Sequence, residues 1–146
     1  MKKIITVDFD HTLAAPVYEF TGWISMGTGG LKPVKEVVDF IEEKIKEGYE
    51  IHIVTFREDV DVPEVKSFIK EHKLPIKQIH NTCSKSKTPV LKNLKSSLHL
   101  DDSLSVCVGA TMEGIPCMYV DSGQRLDKFQ KHLLDNMQVM KVNFYS

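Results

Sequence analysis

Two pairs of aspartates stand out in the chain, each placed directly after a short apolar run. The first pair is Asp8 and Asp10, and the second is Asp101 and Asp102. Carboxylates gathered in one place cannot all stay ionised without a cation, and a set of oxygen ligands suits Mg²⁺. One carboxylate can attack the phosphorus of a phosphate ester, while another protonates the leaving oxygen and then deprotonates water. If the fold unites the two pairs, they predict Mg²⁺-assisted phosphoryl transfer.

Hydroxyl and cationic side chains near other apolar runs fit the same chemistry. Thr12 follows the first aspartate pair, Thr55 and Arg57 follow a second apolar run, and Lys85 and Lys87 lie in a lysine-rich loop after a third. A lysine can bind phosphate oxygens, and a threonine hydroxyl can donate a hydrogen bond to one of them. These residues are therefore candidates for binding the phosphate group of a substrate.

Each of these features also has a purely structural interpretation. Asp-x-Asp favours turns, Thr55 or the second aspartate pair could cap a helix, and the two lysines could belong to a solvated loop. Their common position after apolar runs favours one site over several separate explanations. The pattern leaves open whether Lys85 or Lys87 is the phosphate-binding lysine.

The elements that position these residues follow from the hydrophobic pattern. Short continuous apolar runs alternate with stretches of helical period, which predicts an α/β domain with a mainly parallel sheet and helices on both faces. In such a sheet, ligands bind outside the carboxyl ends of the strands, where the candidate residues lie. The predicted strands are Ile4–Val7, Ile51–Val54, Ile76–Ile79, Leu98–Leu100 and Cys117–Val120. The predicted helices are Pro33–Glu47, Val62–His72, Pro89–Lys95, Leu104–Glu113 and Gln124–Asn136, and Gln138–Phe144 is a terminal strand or an extended tail.

Length and composition indicate one domain spanning residues 1–146. A chain of 146 residues with 42% hydrophobic content is suited to a single core, and its formal charge of −1 gives no sign of a strongly basic surface. The three cysteines form no Cys-x-x-Cys pair, which is typical of small buried thiols in a reducing compartment. The N-terminal apolar run stops at Val7, too short for a signal peptide or a membrane span. We therefore expect a soluble cytoplasmic protein with no membrane partner.

Residues 13–32 show neither helical nor strand periodicity and are expected to form an irregular flap or lid loop. Long loops in compact domains are often functional. Tyr18, Phe20 and Trp23 could stack on a base or sugar, and the glycines at 27, 29 and 30 would let the loop move. The alternative is that these aromatic side chains fill a small core beneath the loop. Trp23 is included here among the candidate substrate-binding residues.

The residues around the two aspartate pairs resemble the motifs of a known family. Asp8-Phe9-Asp10-His11-Thr12-Leu13 is similar to the DxDxT motif of the haloacid dehalogenase-like (HAD) hydrolases, with His11 where glycine is commoner. Val54-Thr55 resembles the second motif, and Leu100-Asp101-Asp102-Ser103 resembles the acidic fourth motif. The later Gly109-Ala110 and Gly114-Ile115-Pro116 continue the pattern, so the resemblance covers nearly the whole chain.

The resemblance implies a Rossmann-like fold and a set of roles. Asp8 would be the nucleophile and a Mg²⁺ ligand. Asp10 would be the general acid and base, with its backbone carbonyl on the metal. Thr12 would support the loop, Thr55 would bind phosphate, and Lys87 is preferred to Lys85 as the third-motif lysine because it directly precedes a predicted helix. Asp102 would ligate the metal directly, with Asp101 sharing that task or supporting it from behind.

The resemblance also bears on the substrate. The intervals on both sides of Thr55 are too short for the large cap domain of many relatives, so residues 13–32 or a neighbouring subunit would have to shield the site. Thr55-Phe56-Arg57-Glu58 is similar to a stretch of polynucleotide 3′-phosphatases. The expected activity is hydrolysis of phosphate monoesters, on nucleotides or nucleic-acid ends, with phosphosugars and phosphoproteins left open. The alternatives are a non-catalytic binding or regulatory module on the same fold and a phosphotransferase.

Overall fold

A computed structural model describes residues 2–21 and 24–144, and for residues 18–21 and 24–29 it describes the backbone alone. Within those ranges the chain forms eight strands and five α-helices. The strands are β1 (Ile4–Val7), β2 (Ala14–Thr21), β3 (Ile24–Pro33), β4 (Glu50–Thr55), β5 (Gln78–Asn81), β6 (Leu98–Asp101), β7 (Cys117–Asp121) and β8 (Gln138–Lys141). The helices are α1 (Lys35–Lys46), α2 (Val62–Glu71), α3 (Thr88–Leu94), α4 (Leu104–Met112) and α5 (Lys128–Leu133).

Six of the described strands form one parallel sheet in the order β5-β4-β1-β6-β7-β8. Numbered along the sheet-forming strands alone, this order is 3-2-1-4-5-6, which is that of Rossmann-like folds. The chain runs outward from β1 to β5 and then crosses back to β6 on the other side of β1. The reversal places the topological switch point between β1 and β6, where such folds bind their ligands.

Helices cover both faces of the sheet, as the sequence predicts. Successive side chains of a strand point to opposite faces. On one face, Ile5 and Val7 of β1 pack with buried residues of α1 and α2, including Ile41 and Phe68. On the other face, strand residues such as Tyr119 pack with the buried residues Leu91 of α3 and Cys107 and Ala110 of α4. The predicted α/β domain with a two-faced parallel sheet is thus confirmed.

Residues 13–32 differ from the prediction. In place of an irregular loop, β2 and β3 form a separate antiparallel hairpin, with Ala14 paired to Pro33 and Thr21 paired to Ile24. A register shift between Pro16 and Tyr18 interrupts the alternation by which a strand is recognised in a sequence. Tyr18 and Phe20 lie on β2, but their side chains, like the whole of Trp23, lie outside the described residues.

Several element boundaries are corrected. Pro33 ends β3 and does not enter a helical turn, because α1 starts at Lys35. The third sheet strand lies two residues later than Ile76–Ile79, and Gln124–Asn136 contains only α5 followed by a short 3₁₀ turn. Asp127 and Gln130 form a capping box that sets the start of α5. Of the predicted terminal segment Gln138–Phe144, only Gln138–Lys141 forms strand β8. Within the described ranges, no helix is long and apolar enough to span a membrane.

Candidate active site

Asp8 of the first aspartate pair meets both members of the second pair at the switch point of the sheet, whereas the Asp10 carboxylate is bound by Arg57. Asp8 directly follows β1, and its backbone N–H donates to the carbonyl of Leu100 on β6 at 2.9 Å. Asp101 is the last residue of β6, and Asp102 follows it. Asp8, Asp101 and Asp102 each offer a carboxylate oxygen, and these oxygens lie within 4.8 Å of one another. The structure therefore brings together residues that are 93 or more positions apart in the chain, as the motif positions predict.

A tight turn after β1 shapes the loop that carries Asp10 and Thr12. The backbone N–H groups of Thr12, Leu13 and Ala14 all donate to the carbonyl of Phe9, at 3.3, 3.1 and 2.9 Å. His11 has a φ of 63°, in the left-handed region that costs glycine nothing and other residues some free energy. A glycine would adopt this conformation without that cost.

Thr12 ties the first aspartate pair to the second. Its buried hydroxyl lies 3.2 Å from Asp8 Oδ2 and 3.3 Å from Asp102 Oδ1, and it accepts the backbone N–H of Asp102 at 3.1 Å. A hydroxyl has one proton, so it donates to one carboxylate at a time. Thr12 thus holds the loop after β1 against the end of β6, which agrees with the supporting function expected of it.

Lys87, immediately before α3, is the cation at the centre of the cluster. Its ammonium group lies 2.8 Å from Asp8 Oδ1 and 2.8 Å from Asp101 Oδ2, with the side chain only 1% exposed. Burial by itself lowers the pKa of Lys87, but the charges of Asp8 and Asp101 outweigh it, so the net pKa lies above the ordinary lysine value. Lys85 is exposed. Of the two candidate lysines, Lys87 is the one that contacts the aspartates.

The pKa values of the three carboxyl groups differ from one another. Burial, followed by the negative charge of Asp101, raises the pKa of Asp8 well above its ordinary value. Burial likewise raises the pKa of Asp102. Burial would also raise the pKa of Asp101, but hydrogen bonding to His99 and the charge of Lys87 overcome it and bring the net pKa below ordinary. One lysine is therefore too little positive charge for the three carboxylates.

The donor set fits a hard divalent cation. All three groups supply oxygen, and two of them have pKa values that a nearby positive charge would restore towards normal. The carboxylate oxygens of Asp101 are less available to a metal ion than those of Asp8 and Asp102. Its Oδ2 accepts hydrogen bonds from Lys87 and His99, and its Oδ1 accepts the backbone N–H of Ser103 at 3.0 Å. Asp8 and Asp102 are consequently the better placed of the three to hold an ion.

Arg57 donates hydrogen bonds to two carboxylates, those of Asp10 and Glu64, and to one backbone carbonyl. Its Nε donates to Asp10 Oδ2 at 3.0 Å and its Nη2 to Asp10 Oδ1 at 2.8 Å. Nη1 donates to Glu64 and to the carbonyl of Asp61, and the guanidinium lies 5.1 Å from the centre of the Phe9 ring. The hydrogen bond with Asp10 raises the pKa of Arg57 further above its already high value. Arg57, predicted as a substrate-binding residue, is here a two-point anchor for the Asp10 carboxylate.

Two positions at the mouth of the site complete its description. Thr55 ends β4 with its side chain buried, and its hydroxyl accepts the backbone N–H of Arg57 at 3.4 Å. Phe56, which follows, exposes 40% of its surface, and Lys87 Nζ lies 4.5 Å from the centre of its ring. Sequence reasoning did not single out Phe56, although its place between Thr55 and Arg57 was the available signal.

Sequence reasoning also missed a buried polar chain behind the aspartates. His99, Thr6 and Ser96 are all buried. Thr6 is hydrogen-bonded to both Ser96 and His99, and His99 is hydrogen-bonded to Asp101. The available signal was a histidine in an apolar strand two residues before Asp101, because residues two apart on a strand share a face.

Compared with models of known protein families and with curated proteins, the chain matches none.

Proposed function

We propose that this chain is a Mg²⁺-dependent phosphomonoesterase of the HAD type, with Asp8 as nucleophile. The observation that carries the proposal is the placement of Asp8 at the switch point, 2.8 Å from the ammonium of Lys87 and within 4.8 Å of two further carboxylate oxygens. A purely structural ion pair would need one carboxylate beside the lysine. Three carboxylates with two raised pKa values destabilise the fold, and such arrangements are typical of functional sites.

Asp8, Asp102 and the backbone carbonyl of Asp10 are the groups proposed to hold the ion. A bound Mg²⁺ supplies positive charge that keeps the carboxylates ionised and offsets their repulsion of a phosphate dianion. Lys87 adds a second positive charge on the phosphate oxygens, and Thr55 donates a hydrogen bond to one of them. Asp101 is proposed to hold Lys87 in place from behind.

The reaction has two steps at phosphorus. In the first, a carboxylate oxygen of Asp8 forms a bond to phosphorus and the bond to the ester oxygen breaks. Asp10, which leaves its ion pair with Arg57 to take up a proton, gives that proton to the departing alcohol. In the second, Asp10 takes a proton from water as the water oxygen bonds to phosphorus, and the bond to Asp8 breaks. Inorganic phosphate leaves, and both carboxyl groups return to their starting protonation states.

The substrate proposed is a nucleotide or the phosphorylated end of a nucleic acid. The exposed Phe56 ring beside Lys87 supports it, because an aromatic face at the mouth of a phosphate site can stack on a base. The β2–β3 hairpin supports it as well, since it rises from the same loop that carries Asp10 and Thr12 and could shield the site. The three cysteines are free thiols, which agrees with the cytoplasmic location proposed here.

Phosphate release tests the proposal directly. Wild type, Asp8→Asn and the control Asp39→Asn, which alters an exposed residue of α1, are assayed with Mg²⁺ and with a chelator. The substrate panel comprises nucleoside monophosphates, 3′-phosphorylated oligonucleotides and sugar phosphates. We expect turnover by wild type and the control that the chelator and Asp8→Asn both abolish. Turnover that survives Asp8→Asn would refute the mechanism, and absence of turnover on the whole panel would favour a non-catalytic module.

A further inference from the structure

A row of polar side chains crosses the buried face of the sheet that packs against α3 and α4. His52 on β4, Thr6 on β1 and His99 on β6 lie in register as direct neighbours. Buried polar groups in native proteins are nearly always hydrogen-bonded, because leaving one unpaired costs about 1–3 kcal/mol. The hydrogen-bond partners of these side chains therefore indicate which of them are connected to the active site. His52 bonds to His80 on the edge strand, whereas Thr6 and His99 bond to each other and towards the aspartates.

The contacts of His99 define one tautomer. A ring with a single N–H can make both contacts of His99, as the donor at one nitrogen and the acceptor at the other. Asp101 Oδ2 lies 2.8 Å from Nε2, and an ionised carboxylate can only accept, so Nε2 holds the proton. Nδ1 then accepts the hydroxyl proton of Thr6 at 2.8 Å. Ser96 lies 2.8 Å from the Thr6 oxygen and 3.1 Å from the carbonyl of Leu98, and its single proton goes to one of them at a time.

Asp101 connects His99 to the lysine of the site. The same oxygen that accepts from His99 accepts from Lys87, and the other oxygen accepts the backbone N–H of Ser103. With both oxygens engaged, the carboxylate plane is fixed. Lys87 is then directed at Asp8 by a second hydrogen bond of 2.8 Å, with the ring of Phe56 on a further side.

We infer that His99 is a positioning residue of the active site, which fixes Asp101 through its Nε2–H and thereby directs Lys87 at Asp8, with Thr6 selecting the required tautomer. The kinetic consequence of this inference rests on the proposed function. The hydrogen-bond chain from Thr6 through His99 to Asp101 does not depend on that function. Without His99, only the backbone N–H of Ser103 and Lys87 itself hold the Asp101 carboxylate, so the ammonium group of Lys87 is fixed less firmly towards Asp8. Partners one contact behind a site residue typically contribute about 10–100-fold to activity or affinity.

Three variants separate positioning from general damage to the sheet. His99→Met removes the donor at similar size, and His99→Gln keeps an N–H near the position of Nε2. His52→Met is the matched control, because His52 is buried in the same row but bonds to His80. We expect kcat/KM to fall about 10–100-fold in His99→Met and to recover largely in His99→Gln. His52→Met should lower the unfolding midpoint and leave kcat/KM within about twofold of wild type, since it leaves the chain to Asp101 intact.

The inference is overturned if His99→Met stays within about twofold of wild type, if His99→Gln is no better than His99→Met, or if His52→Met loses as much activity. A measurement on wild type needs neither turnover nor a variant that folds. Imidazole ¹H–¹⁵N spectra of the protein labelled at histidine should show His99 neutral and protonated on Nε2, and Thr6→Val should disturb that state. A proton on Nδ1 would overturn the inference whatever the activity. The expected tautomer in a protein without turnover would refute the proposed function and leave the hydrogen-bond chain standing.

Discussion

Replacing Lys87 by methionine should destabilise the protein strongly, although methionine has a similar length and is apolar. Lys87 is the cation between two carboxylates whose side chains are 9% and 1% exposed, each at 2.8 Å. Removing one partner of a buried ion pair leaves an uncompensated charge and typically costs about 3–5 kcal/mol. For a chain of this size, that corresponds to a fall in melting temperature of about 6–20 °C. The total stability of such domains is about 5–15 kcal/mol, so the variant is expected to remain folded in mild conditions.

Urea unfolding at two pH values gives the assay. The charge of Lys87 lowers the pKa values of the buried Asp8 and Asp101 carboxyls, so without it both values should rise and the folded variant should bind more protons than folded wild type. The lost stability should consequently be smaller near pH 5 than near pH 8.

Lys92→Met is the control for this prediction, because Lys92 forms an exposed ion pair with Glu113 at 3.0 Å. Losing that pair should lower the free energy of unfolding by no more than about 1 kcal/mol. If Lys87→Met shifts the urea midpoint no more than Lys92→Met, or if its cost does not change with pH, Lys87 does not neutralise the buried aspartates and the electrostatic reasoning fails.

Two further predictions concern the acid and base group and the histidines. Asp10→Asn should slow single-turnover cleavage of alkyl phosphates by about 10²–10⁴-fold and of p-nitrophenyl phosphate much less, because only a poor leaving group needs the proton; equal losses would contradict the assignment. Burial lowers the pKa values of His52 and His80, so the unfolded chain binds more protons and stability should fall as the pH drops below about 6.5. The difference in unfolding free energy between wild type and His52→Gln should therefore narrow from pH 8 to pH 5, and a constant difference would refute this.

The sheet and the meeting of the aspartates were predictable because both follow from local patterns. The run Ile4–Val7 is continuous and β-branched, as a strand buried on both faces requires, and the structure gives it the same boundaries. Strand direction then places Asp8 and Asp101 at one edge of the sheet without any knowledge of side-chain conformation. Gly48 and Gly114 follow α1 and α4 with φ values of 100° and 79°, in the left-handed region that glycine commonly adopts just after a helix.

The hairpin and the side-chain partners required information that is not local. The pairing of β2 with β3 is stabilised between strands, and the shift after Pro16 hides its alternation from a reader of the sequence. Nothing in the spacing of Asp10 and Arg57, 47 residues apart, shows that the guanidinium will bind that carboxylate. The chain from Thr6 through His99 to Asp101 likewise depends on which face of two separate strands each side chain takes.

Covalent trapping of the nucleophile tests the central claim most directly. Wild type, Asp8→Asn and Asp10→Asn are mixed with Mg²⁺ and p-nitrophenyl phosphate, whose leaving group does not need the proton of Asp10. The mixtures are quenched in acid and digested, and the phosphorylated peptide is located by mass spectrometry. The account predicts phosphate on Asp8 in wild type, more of it in Asp10→Asn because water is no longer activated, and none in Asp8→Asn. Phosphate on another residue, or turnover by Asp10→Asn with no phosphate on Asp8, would contradict it.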